Sequence, residues 1–184
     1  MTQPATGPVT GSSIARIELV PGPLADLTAP AADGLVAELD RLADTAPRAL
    51  LLVAAHGVGA EEPRPVTLAG LRDPAAVLAA FPAPTVAYWD GPAVGAGAEL
   101  LLAADIRIGG PGALLAFPEV GRGELPCWGG TQRLPRVVGR AKALEMFVAA
   151  EKLHANEALR IGLVDAVVED PVAEAGRRIS DLRL

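Results

Sequence analysis

Two glutamates, Glu99 and Glu119, are the residues best suited to chemistry in this 184-residue chain, and they stand twenty positions apart. Glu99 is flanked by Ala98 and by the apolar run Leu100–Ala104, so a carboxylate there calls for a reason. Glu119 follows an apolar run, Ala113 to Phe117, and Pro118. Just ahead of Glu99 lies the small-residue run Gly95-Ala96-Gly97-Ala98, which opens an apolar helical pattern. A helix start exposes unpaired backbone N–H groups and a partial positive charge, and it binds anions without a side chain. Two carboxylates beside such a start are equipment for proton transfer next to an anion. Each piece also has a plainer reading. Glu99 could offset the positive end of its own helix, Glu119 could be a solvated turn residue, and the small residues could serve close helix packing.

Composition bounds the rest. The chain is long enough for one domain of ordinary size, and 51% of its residues are hydrophobic, so a sizeable core is expected. The net charge of -6 and the lack of a basic block argue against nucleic-acid binding. The single Cys127 excludes an internal disulfide framework and fits a reducing, cytoplasmic setting. No apolar run approaches a membrane span, so no membrane partner is expected. Residues 1–13 have neither a cationic start nor an apolar stretch. They read as a flexible tail rather than a signal peptide, ahead of one domain over 14–184.

The elements that must position the glutamates alternate in type. Ile14–Val20 alternates like a half-buried strand, and Ala29–Asp44 is helical by period, with Asp26 or Thr28 as a cap. Arg48–Ala55 is a continuous apolar strand, buried on both faces. Pro74–Phe81 reads as a short helix and Thr85–Tyr88 as a strand ending at the Asp90-Gly91 turn. Helices over Lys142–Val148, Ala155–Ile161 (Asn156 as cap, Gly162 as stop) and Val172–Leu182 follow, with a strand at Leu163–Val168. Strand–helix–strand order predicts an α/β core with crossover connections.

Several segments together resemble the enoyl-CoA hydratase/isomerase (crotonase) superfamily. They are DGPAVGAGAELLLAADIRI, LLAFPEVG, GGTQRLPRVVGRAKALEMF and EALRIGLVDAVV, in the family's order and spacing. The resemblance runs from about Ile14 to Asp170. It implies an α/β fold whose core is a spiral of repeated strand–strand–helix units. It implies that Glu99 and Glu119 are the catalytic pair of a hydratase, which needs a base to take a proton from water and an acid to protonate the α-carbon. One carboxylate of such a pair can stay ionised while the other is held protonated. The Ala96 N–H would be one oxyanion donor, with Gly70 and Leu71 favoured for the second and Gly57-Val58-Gly59 as a rival. The segment around Gly70 departs from the family's pattern. Cys127, Trp128 and Gly129 would border the acyl pocket, and Arg72 would bind the nucleotide end of coenzyme A.

The same resemblance implies no permanently bound cofactor and no metal, coenzyme A entering only as part of the substrate. The substrate would be an acyl-CoA or acyl-carrier-protein thioester. A homo-oligomer, trimer or hexamer, is expected, and the chain stops short of the family's usual C-terminal helices. Isomerase, decarboxylase and thioesterase chemistries share the enolate. A non-catalytic acyl-thioester-binding or scaffold subunit is the alternative of different class. His56 could touch the active-site loop, and His154 reads as surface.

Overall fold

The computed structural model describes residues 14–19, 29–58 and 72–181. Among them β1 (Ile14–Glu18), β2 (Ala49–Ala54), β3 (Thr85–Trp89), β5 (Ile106–Gly109) and β8 (Ala166–Val167) form a parallel sheet in that order. A smaller sheet has the order β4 (Pro92–Val94), β6 (Leu114–Ala116), β7 (Leu153–His154). The helices are α1 (Ala29–Ala43), α2 (Pro74–Ala79), α3 (Ala96–Leu102), α4 (Gly130–Val138), α5 (Arg140–Ala149), α6 (Ala155–Arg160) and α7 (Pro171–Asp181). Strand pairs β3–β4 and β5–β6 each start in one sheet and end in the other. This gives the spiral of strand–strand–helix units and confirms the crotonase-like α/β fold expected from the sequence.

The unbroken apolar run of β2 has a direct cause. All six residues are buried, with Leu50, Leu52 and Ala54 facing the main core and Ala49, Leu51 and Val53 a second cluster closed by Ala175 and Ile179 of α7. A parallel strand covered on both faces cannot alternate with polar residues. At the other end of the sheet Asp105, just past α3, accepts from the Thr85 N–H and hydroxyl, both at 2.9 Å, while its own N–H donates to Thr85 Oγ1 at 3.0 Å. That clip fixes where α3 returns to β3.

Most boundaries read from sequence hold to within a residue or two, and the differences have physical reasons. α4, which contains Pro135, is a helix to which the sequence reading assigns no element. Asn156 is the second residue of α6 rather than its cap, and the capping position is His154, which makes no side-chain cap. Gly162 does end α6, at φ +74°. Asp26 and Thr28 lie outside the described residues.

Candidate active site

The smaller sheet brings the glutamates together. β4 and β6 run parallel in the register Val94↔Ala116, and the Gly95 N–H extends the ladder to the Ala116 carbonyl at 2.9 Å. Parallel neighbours end at the same edge. Five residues past Val94 the chain reaches Glu99, and three past Ala116 it reaches Glu119. The long sequence separation between them is therefore only the length of one spiral turn. The turn that makes it is pinned by Asp90, whose Oδ1 accepts from the Gly112 N–H at 2.6 Å.

Gly95 joins β4 to α3 at φ 57° and ψ -123°, a conformation that disfavours any side chain. A Cβ there would also stand 2.7 Å from Glu119 Oε1. The Glu119 carboxylate thus lies directly over the turn that begins α3. Ala96 follows as the first residue of the helix, so its N–H has no carbonyl in its own helix to reach. It is partly exposed, between the buried Gly95 and Gly97.

The two carboxylates differ in their surroundings. Glu99 is 1% exposed and accepts three main-chain bonds: Cys127 N–H to Oε1 at 3.0 Å, and Trp128 and Gly130 N–H to Oε2 at 2.8 and 2.6 Å. It therefore serves the start of α4, not that of its own helix. A Cβ on Gly130 would sit 2.9 Å from Glu99 Oε2, which accounts for glycine there. Glu119 is 7% exposed, so it is no solvated turn residue, and its buried Oε2 has no hydrogen-bond partner among the described residues. Burial pushes the Glu99 carboxyl up to about 7, the three N–H groups pull it back, and the charge of Glu119 adds to the rise. Burial likewise raises Glu119, against its own N–H and Arg122.

These raised values set a pH dependence. A carboxyl raised on folding contributes stability that is full below its unfolded value and lost as pH climbs through the folded one. Glu174, lowered to about 2 by Arg177 and Arg178, stays ionised throughout the neutral range and adds no slope there. The melting temperature should therefore rise as buffer is taken from about pH 8 to pH 6. Calorimetry across that range checks it, and a melting temperature that falls on acidification would contradict the burial assigned to Glu99.

The other residues singled out from sequence fall as follows. Trp128 is 1% exposed and packs in the main core, so its indole is not on the open side. Cys127 is exposed. Desolvation of its sulfur, with the charges of Glu99 and Glu119, pushes the thiol up to about 11, which keeps it out of nucleophilic work at neutral pH. Gly129 takes φ +84° as the residue before α4. Arg72 pairs with Asp40 of α1, beside an open groove of about 440 Å³ lined by Leu39, Ala43, Val77 and Phe81. Gly70, Leu71 and Gly59 lie outside the described residues. The rival donors Gly57 and Val58 are both engaged, on the Ala54 carbonyl at 3.1 Å and the Pro92 carbonyl at 2.8 Å. His56 and His154 are exposed. Among the described residues no three of His, Cys, Asp and Glu gather as a metal would need, and no helix is long and apolar enough to cross a membrane.

Sequence reasoning missed the loop 127–130 as a rack of donors. The available signal was the Gly129-Gly130 pair, since adjacent glycines before a helix mark a place where something approaches the backbone closely.

Comparison with known proteins bears on the family and the fold. A family model described as Enoyl-CoA hydratase/isomerase matches residues 65–179. The glyoxysomal fatty acid beta-oxidation multifunctional protein MFP-a of Brassica napus is 50% identical over 98 residues, which are 53% of this chain and 13% of that protein. YngF of Bacillus subtilis is 48% identical over 93 residues, 50% of this chain and 36% of the relative. The chain thus spans well under half the length of these curated relatives. The solved structure of enoyl-CoA hydratase from Bacillus anthracis superposes with a TM-score of 0.79 at 26% identity, covering 97% of this chain and 77% of that one.

Proposed function

Because this chain belongs to the enoyl-CoA hydratase/isomerase family, we propose that it adds water to, or removes it from, the α,β-position of an acyl thioester. The observation that carries this reading is the common edge of β4 and β6, beyond which two buried carboxylates follow, Glu119 over the turn that begins α3 and Glu99 within the first turn of that helix. In the proposed mechanism the thioester carbonyl rests on the Ala96 N–H, with the second donor coming from the Gly70–Leu71 peptide. Hydrogen bonds aimed at the oxygen matter because negative charge collects there as the enolate forms. Glu99, ionised, takes a proton from water. Glu119, which has an unpartnered oxygen, holds the same water and delivers a proton to the α-carbon. Cys127 and Gly129 line the acyl side, with Trp128 backing them. Arg72, released from Asp40, receives the nucleotide end of coenzyme A. No resident cofactor takes part in this scheme, and the protein works in the cytoplasm as a homo-oligomer.

The test is loss of the enoyl-thioester absorbance of crotonyl-CoA, followed from pH 5 to pH 9. We expect hydration with an acid limb near the Glu99 value of about 7, because the base must be ionised. No hydration at any pH would end this reading. A double-bond isomerase is the second reading, favoured by one observation: Glu99 already holds three N–H groups, while of the two only Glu119 has an oxygen without a partner among the described residues. One mobile proton acceptor suffices to move a double bond, and a β,γ-enoyl-CoA assayed for conjugation distinguishes the two.

A further inference from the structure

We propose that Arg133 is a positioning residue that holds the 127–130 loop against Glu99 and ties that loop to the start of α2. The inference rests on the reading of Glu99 as a proton-transfer group. Arg133 Nη1 donates to the Trp128 carbonyl at 2.5 Å, and Nη2 to the Ala75 carbonyl at 3.4 Å. Trp128 is thereby held at both ends, since its N–H donates to Glu99 Oε2 at 2.8 Å and its C=O accepts from the guanidinium.

The surroundings are built for this contact. Gly129, at φ +84°, lies beneath the guanidinium, and a Cβ there would collide with Nη1. Ala75 is fully buried near the start of α2, and its N–H is fixed by Asp73 Oδ1 at 2.8 Å. One planar side chain thus spans two backbones that meet nowhere else through a side-chain hydrogen bond among the described residues. The first backbone supplies the Glu99 donors. The second begins just after Arg72, where the segment proposed to give the second oxyanion donor rejoins the described chain. A guanidinium offers forked donors in a fixed plane, and an ammonium cannot bridge both carbonyls in the same way.

The charged group that acts on Glu99 is Glu119 from beyond β6, while Glu99, Glu119 and Asp73, the cap of α2, act on Cys127 in the loop. Arg122 and Glu124 act on Glu119. Loss of the clamp frees the loop amides and lets the Glu99 carboxyl drift upward, away from the form that accepts a proton.

The experiment is amide hydrogen exchange on wild type and Arg133→Met, read together with steady-state kinetics. Protection at Trp128 and Gly130 should fall at least about tenfold, while amides of β2 and β3 keep theirs. kcat should drop roughly 10- to 100-fold with KM changed less than about twofold, as expected when a reacting group is misplaced and substrate binding is left intact. Arg133→Lys, the milder change if the Met variant does not fold, should show the same local loss of protection at smaller amplitude. Unchanged protection at Trp128 and Gly130, or a loss shared equally by β2 and β3, overturns the proposal. Exchange needs no substrate, so a wild type that fails to hydrate crotonyl-CoA would sink the hydratase reading separately.

Discussion

Glu119→Gln is expected to abolish most of the hydration rate while leaving the protein as stable as before, or more so. The side chain is 7% exposed and one of its oxygens has no partner among the described residues, so the amide gives up no hydrogen bond to them at that atom. It also removes a carboxyl that burial holds above its ordinary value, and with it a contribution that weakens the fold as pH rises. The catalytic side is opposite. A positioned acid or base is worth roughly 10²- to 10⁴-fold, and an amide cannot exchange the proton. The expected result is therefore a fall in kcat of that order, with KM nearly unchanged and a melting temperature at pH 8 equal to or above wild type. Activity within about threefold of wild type would remove Glu119 from the chemistry. A melting temperature several degrees lower would mean that the orphaned oxygen is bonded after all.

Glu99→Leu is expected to do the reverse damage first. The substitution leaves three N–H groups without an acceptor, the buried ones of Trp128 and Gly130 and the part-buried one of Cys127. Each orphaned donor costs about 1–3 kcal/mol. Relief from burying a carboxylate offsets part of this, and we expect a net loss of roughly 3 kcal/mol, a large share of a typical domain's stability. Glu99→Gln is gentler because its amide oxygen can keep the Trp128 and Gly130 donors and only the Cys127 N–H faces an NH₂ group. Urea unfolding of the two variants at pH 8 measures the difference. A Leu variant as stable as wild type would show that the loop finds other acceptors, and that Glu99 does not organise the start of α4. The two carboxylates of one site thus have separable signatures: one unfolds the site when removed, the other silences it.

Much of this was legible in the sequence because it is local. Gly95, the Asp90-Gly91 turn, the helical period of α1 and the stop at Gly162 all follow from what nearby residues permit. The pairing of Glu99 with Glu119 was not local. It depends on β4 and β6 lying side by side, and β4 is three residues long, too short to announce itself by alternation. Only the resemblance to a known pattern linked the two positions. The loop at 127–130 was read as pocket border and its donor role was missed, because that contribution comes from main-chain N–H groups, which no residue type advertises. Trp128 invited a reading as pocket wall, and its side chain proved to belong to the core, while its peptide group makes the bonds at the site. α4 received no assignment from the sequence, and it holds Pro135 in its interior, where a short helix can lose one ladder bond.

The bridge at Val58 has one more consequence. Its N–H and C=O are both committed to the β4 strand, through Pro92 and Val94. β4 is therefore gripped from two sides, by Val58 on one and by β6 on the other. A three-residue strand alone would make a poor footing, but fastened along both margins it gives Gly95 and the amides after it a fixed seat.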